Sequence, residues 1–210
     1  IFDFSGSSNQ AENAINCTKW ASLGGLFAPL FPLLCYDIPW NEGIIKPVKM
    51  IAQEGTIVNC IRPAPVSVAT VGAIQSVNNA ACATIGKMLE ASEAYAKEAT
   101  AVWHANNFAV FKFGKNQHGN DSIGIFTEVF AGAGGARTFG DGVDVGGEIP
   151  NPISRMANVE SVEASFPIRY LFRRRLADTG GAGKYRGGTG MEFAVVPHDA
   201  PDGGIHYVVS

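Results

Sequence analysis

The sequence lacks a strong charge of either sign. It has 16 Lys and Arg against 19 Asp and Glu, a net charge of −3 over 210 residues. Nucleic-acid binding domains usually carry a marked basic excess, so this balance argues against that class. Long apolar runs are missing too. No stretch approaches the roughly 18 apolar residues of a membrane-spanning helix. The most apolar segment, "LGGLFAPLFPLLCYDIPW", contains Gly24, Gly25, Pro29, Pro32 and Pro39. Prolines so closely placed are expected to exclude a continuous helix there.

Cysteine is sparse and unpatterned. Cys17, Cys35, Cys60 and Cys82 form no C-x-x-C pair, so neither a disulfide framework nor a local zinc site is indicated. They are expected to be reduced, mostly buried thiols of a cytoplasmic protein. His104, His118, His198 and His206 show no H-x-H, H-x-x-x-H or H-E-x-x-H spacing, which leaves no metal site legible in local sequence. His104 is expected at the end of a long helix, where an imidazolium suits the dipole. No G-x-S-x-G elbow is present. Cys60 has Arg62 two residues on, an arrangement that can activate a thiol but more often accompanies an inert buried one.

Glycine, by contrast, is plentiful: 25 residues. The stretch "DTGGAGKYRGGTG", residues 178–190, follows the basic run "YLFRRRLA" and invites a phosphate-binding reading. The P-loop pattern fails twice. Tyr185 follows Gly183-Lys184 where Ser or Thr belongs, and Asp178 stands where the first glycine belongs. The dinucleotide fingerprint fails as well, because Arg186 occupies the third glycine position after Gly181 and Gly183. An RNA-binding arginine–glycine box is repeated, disordered and basic, and this stretch occurs once in an acidic chain. What remains is a tight loop using glycine's conformational freedom to join two strands. Lys184 and Arg186 then either face an anion or pair with nearby carboxylates such as Asp178.

Periodicity places the other elements. "IFDF", "IIKPVKMI" and "GTIVNCI" read as strands, and "NAINCTKWASLGGLFA" as a segment that can hold a short helix. Ile74, Val77, Ala81, Ile85, Met88, Ser92, Tyr95, Ala99 and Val102 draw one stripe, predicting a long helix over 71–103, with Gly86 and Ser92 as candidate breaks. "NFAVFKFG" and "DSIGIFTEVF" read as two strands joined by the turn residues "KNQHGN". Residues 131–150 are too rich in glycine for a regular element, and a loop of that length is usually functional or disordered. Asn151 is a candidate N-cap with Pro152 at the first helical position, for a short helix ended by Pro167. "IRYLFRRRL" and "MEFAVVP" read as strands. The fold class expected is α+β: mixed strands, one long helix and glycine-rich loops. Strand-like sequence at both ends suggests part of one larger region, truncated on both sides.

Five ordered blocks go further. "DFSGSSNQ", "DIPWNEGIIKPVKMIAQEGTIVNCIRPAPVSVAT", "GAGGARTFGDGVD", "NPISRMANVESVEASFPI" and "DTGGAGKYRGGTG" together resemble the landmarks of the hydantoinase B/oxoprolinase family. That family includes the B half of 5-oxoprolinase and N-methylhydantoinase, and alpha-type subunits of acetone and acetophenone carboxylases. The resemblance implies an A-type ATPase partner that binds ATP and phosphorylates a carbonyl or enolate oxygen of a lactam, hydantoin or ketone. The B-type subunit then handles the activated intermediate, by ring opening or by carboxylation; a non-catalytic scaffold is the third possibility. A divalent metal is implied in a segment upstream of the "DFSG" block. The resemblance also implies which polar landmark residues lie near the reaction chamber. Asn41, Glu42, Asp141 and Asp178 are the candidate catalytic groups. Arg62, Lys184 and Arg186 are the candidates for binding a phosphorylated substrate. Turn formation is the competing role for each.

Overall fold

The computed structural model describes residues 1–103, 110–125, 128, 132–149, 151–152, 156–200 and 206–209. The chain divides into two compact units: residues 1–102 with 137–139, and residues 103–136 with 140–210.

The first unit is built on two helices. α1 spans Lys19–Leu34, opened by Thr18, whose side chain accepts from the Ala21 N–H. α3 spans Ala73–Glu90. They pack through two adjoining apolar clusters, one around Phe27, Leu30, Ile85 and Leu89, the other around Leu26, Val58, Val77 and Ala81. The expectation that the prolines exclude a continuous helix here is wrong: Pro29 and Pro32 both lie inside α1. Each removes one helical hydrogen bond and costs about 3 kcal/mol. The residues four back, Gly25 and Ala28, are small. Leu26, Phe27 and Leu30 are at most 5% exposed and contribute about 1.5–3 kcal/mol each by burial. Packing decides against propensity.

The single long helix expected over 71–103 also needs correction. α3 ends at Glu90, followed by a 3-10 turn at Ala96–Glu98 in which the Ala96 N–H donates to Ser92 O (2.9 Å). The returning chain passes so close that a Cβ on Gly86 would lie 2.6 Å from the Thr100 carbonyl. Gly86 therefore marks a close approach rather than a kink. His104 lies outside the described residues.

The strands expected in this unit shrink or give way to other structure. Within "IIKPVKMI" only Met50–Ile51 (β2) is a strand, paired in parallel with Phe2–Asp3 (β1). Ile44 and Ile45 instead belong to a one-turn helix, α2 (Glu42–Ile45). "GTIVNCI" forms turns, held by Thr56 Oγ1 donating to Gln53 O (2.7 Å) and Asn59 Nδ2 to Ala52 O (2.9 Å). Those side-chain bonds outweigh β-branched propensity.

The second unit carries the remaining strands. β3 (Val110–Lys115) lies between β4 (Asp121–Ile125) and β9 (His206–Val209), all antiparallel. β7 (Ile168–Arg175) and β8 (Met191–Pro197) form an antiparallel pair with an irregularity between Tyr170 and Phe172. β5 (Gly147–Glu148) pairs with β6 (Asn151–Pro152). The N-cap expected at Asn151 is thus a strand residue. The helix begins later, as α4 (Val159–Ser165), where Asn158 Oδ1 accepts from Ser161 N (3.2 Å). Val162 of α4 is buried with Ile168, against Phe166, Phe193 and Val195. The fold class is mixed α and β, with two long helices where one was expected.

Candidate functional site

The glycine-rich stretch is the loop from β7 to β8. Leu176 N donates to Gly190 O (2.9 Å) and closes its base. Thr179 Oγ1 donates to Leu176 O and accepts from Gly190 N, both at 2.9 Å. Asp178 takes a positive φ of 58°, the left-handed region that Asp tolerates better than most side chains. The loop's far limb crosses the chain around residues 134–145. Gly134 N donates to Val143 O, Gly188 N to Gly134 O, Gly142 N to Arg186 O and Val145 N to Thr189 O, at 2.8–2.9 Å. At this crossing backbone lies against backbone. A Cβ on Gly188 would overlap the Val143 carbonyl, and one on Gly142 the Gly134 carbonyl. Gly142 and Gly188 are thus used for close approach of backbone to backbone.

A carboxylate locks the crossing. Asp144 Oδ1 accepts from Arg186 Nη1 (2.8 Å) and from Thr189 N (2.8 Å), and Oδ2 accepts from Arg186 Nη2 (3.3 Å) and Arg175 Nη1 (2.5 Å). The fork-to-fork pair with Arg186 is the strong geometry for such contacts. These bonds, Arg186 first, hold the Asp144 carboxyl well below the usual carboxylate range, and Asp144 raises the Arg186 guanidinium in return. Asp141 joins through Oδ1, which accepts from Arg186 N (2.9 Å), while Oδ2 lies 3.7 Å from Arg186 Nε.

Asp141 and Arg186 are therefore brought together, and Arg186 is committed to protein partners on several donors. Lys184 differs. It is exposed, its Nζ lies 5.4 Å from the Tyr185 ring centroid, and among the described residues it has no carboxylate within ion-pair distance. Asp178 is exposed in the same loop. Asn41, Glu42 and Arg62 belong to the first unit. Asn41 caps α2, with Oδ1 accepting from Gly43 N (2.8 Å) and Nδ2 donating to Pro39 O (2.8 Å). Glu42 is exposed in the first turn of α2, and Arg62 is exposed ahead of Pro63.

Asp144, Arg175 and Thr189 were not singled out from sequence. Asp144 stands three residues after Asp141 in "FGDGVD", and Arg175 ends the basic run, but nothing in the sequence pairs positions 31 to 45 residues apart. A second polar cluster was missed outright. Glu128, 3% exposed, accepts at Oε1 from Tyr170 Oη (2.6 Å) and Arg173 Nη1 (3.1 Å), and its buried Oε2 has no hydrogen-bond partner among the described residues. Burial, then the Glu128 carboxylate, pushes the Tyr170 phenol up. The single acid in "GIFTEVF" was the available signal. Among the described residues no three His, Cys, Asp or Glu side chains gather as a metal site would require, and no helix is long and apolar enough to cross a membrane.

Comparison with known proteins agrees with this architecture. A family model described as Hydantoinase B/oxoprolinase matches residues 1–203. An uncharacterized protein of Methanocaldococcus jannaschii is 32% identical over 189 residues, 90% of this chain and 31% of its own length. A nucleotide-free acetone carboxylase structure superposes on 99% of this chain and 26% of its own, with a TM-score of 0.85 at 24% identity. The ATP-dependent caprolactamase from Pseudomonas jessenii superposes on 91% of this chain and 32% of its own, at TM-score 0.75 and 25% identity. The caprolactamase subunit beta of that organism is 25% identical over 192 residues. The chain spans less than a third of the length of these relatives.

Proposed function

The chain belongs to the hydantoinase B/oxoprolinase family, and from that premise we propose that it is part of the B-type subunit of an ATP-dependent cyclic amidohydrolase. Its substrate class is a lactam or imide ring such as 5-oxoproline or a hydantoin. The observation that carries this reading is the match, in sequence and fold, of nine-tenths of the chain to an ATP-dependent caprolactamase. A cyclic amide resists water because its nitrogen donates into the carbonyl. Phosphorylating the carbonyl oxygen, with loss of the N–H proton, gives an imidate-type phosphate whose carbon is open to water and from which phosphate is a good leaving group. In this proposal ATP is bound by an A-type ATPase partner, which makes the phosphorylated intermediate.

The loop chemistry suits the receiving role. The Asp144–Arg186 lock holds the 178–190 loop in one shape without needing Arg186 for substrate. Lys184 is the candidate cation to meet a phosphoryl oxygen, with Arg62 a second. Asp178, Asp141 and Glu42 are the candidate bases for activating water; Asn41 positions Glu42 by capping α2.

The test uses the intact subunit with its ATPase partner, and reads ring-opened product and phosphate release with 5-oxoproline or hydantoin. The expected result is ATP-dependent ring opening, with turnover in Lys184→Met reduced on the order of 10². ATP turnover that requires bicarbonate and a ketone sinks the amidohydrolase reading in favour of carboxylation. Partner binding without turnover of either kind leaves a scaffold.

A further inference from the structure

None of the four cysteines is in a disulfide, and Cys17 and Cys60 are neighbours in space though 43 positions apart in sequence. The Cys60 N–H donates to the Cys17 carbonyl (3.0 Å), and the Cys17 N–H donates to the Ile57 carbonyl (2.7 Å). With that bond in place, covalent lengths leave the two Cα atoms no more than about 7 Å apart. Disulfides form across Cα separations of about 4.4–6.8 Å. We propose that Cys17 and Cys60 are a redox modification site that closes to a disulfide when peroxide reaches Cys60.

The two thiols differ in exposure, which fixes the order in which they react. Cys17 is fully buried, and its Sγ donates to Thr18 O at 3.4 Å. Burial, with a further contribution from Cys60, keeps its thiol protonated. Cys60 is half-buried, so the oxidant meets it first. The Cys60 sulfur attacks one peroxide oxygen, giving a sulfenic acid and one water. The Cys17 sulfur then attacks the sulfenic sulfur, and the hydroxyl leaves with the Cys17 proton as a second water. Two thiols are oxidised to one S–S bond, and both peroxide oxygens end in water. The bridge closes a loop containing α1, α2 and β2, and anchors the segment leading to Arg62. It requires neither partner nor substrate.

The experiment treats the intact protein with a small excess of hydrogen peroxide, alkylates it under denaturing conditions and maps peptides by mass spectrometry. The expected result is a linked pair containing Cys17 and Cys60, two hydrogens lighter than the separate peptides, reversed by dithiothreitol. Cys35 and Cys82 are recovered alkylated. Thermal melting is expected to shift upward on oxidation, and that shift to vanish in Cys60→Ser. Recovery of Cys17 as alkylated while Cys60 carries sulfinic acid overturns the proposal, as does a link from Cys17 to any other cysteine.

Discussion

Asp144 shows how one side chain can order segments rich in glycine. Glycines at 134, 142, 180, 187 and 188 let the backbone strands cross, but glycine also carries the largest conformational entropy to be lost on folding. A carboxylate with four bonds to Arg175, Arg186 and Thr189 offsets that loss. Because its pKa is depressed in the folded state, its contribution is fully present above about pH 4, the unfolded value. It is lost as pH falls further, toward the folded value. Asp144→Asn keeps the shape and removes the charge. It is expected to lower the urea midpoint at pH 7, and the gap from the unsubstituted protein is expected to narrow progressively as pH falls below about 4. A gap that is absent at pH 7, or that does not change with pH, means the pair does not hold the loop.

At the scale of elements, the two long helices put glycine to opposite uses. Gly24 in α1 is exposed, and a Cβ there would meet nothing within 4 Å. Gly24→Ala is expected to stabilise by about 0.5–1 kcal/mol through helix propensity. Gly86 in α3 would gain the same propensity, but its Cβ would lie 2.6 Å from the Thr100 carbonyl. The backbone there cannot swing away as a side chain can, and overpacking costs about 1–3 kcal/mol. Gly86→Ala is therefore expected to be a net loss. Denaturant midpoints of the two variants measured side by side decide the matter, and a stabilised Gly86→Ala would show that the return of the chain onto α3 is looser than described. The same contrast explains α1. Propensity alone ends that helix before Pro29, while the burial of Leu26, Phe27 and Leu30 carries it to Leu34.

For the whole molecule, the proposed division of labour places ATP on a partner. ATP added to this chain alone is expected to leave its melting temperature unchanged, since a ligand stabilises only the protein it binds. A concentration-dependent rise would move the nucleotide onto this chain and undo that division. Much of this was readable without a structure. Alternation at "NFAVFKFG" predicted β3, "MEFAVVP" read as the strand that is β8, and turn residues predicted the 116–120 connection. The broken P-loop excluded the nucleotide reading of 178–190, and five ordered blocks pointed to the family. These are signals carried by neighbours in sequence, where side-chain period and turn chemistry act over a few residues. The Asp144–Arg186 lock, the Glu128–Tyr170–Arg173 cluster, the passage of α1 through two prolines and the meeting of Cys17 with Cys60 were decided by the tertiary structure. Each joins or favours groups according to which surfaces pack together, and a one-dimensional pattern holds no index of that choice.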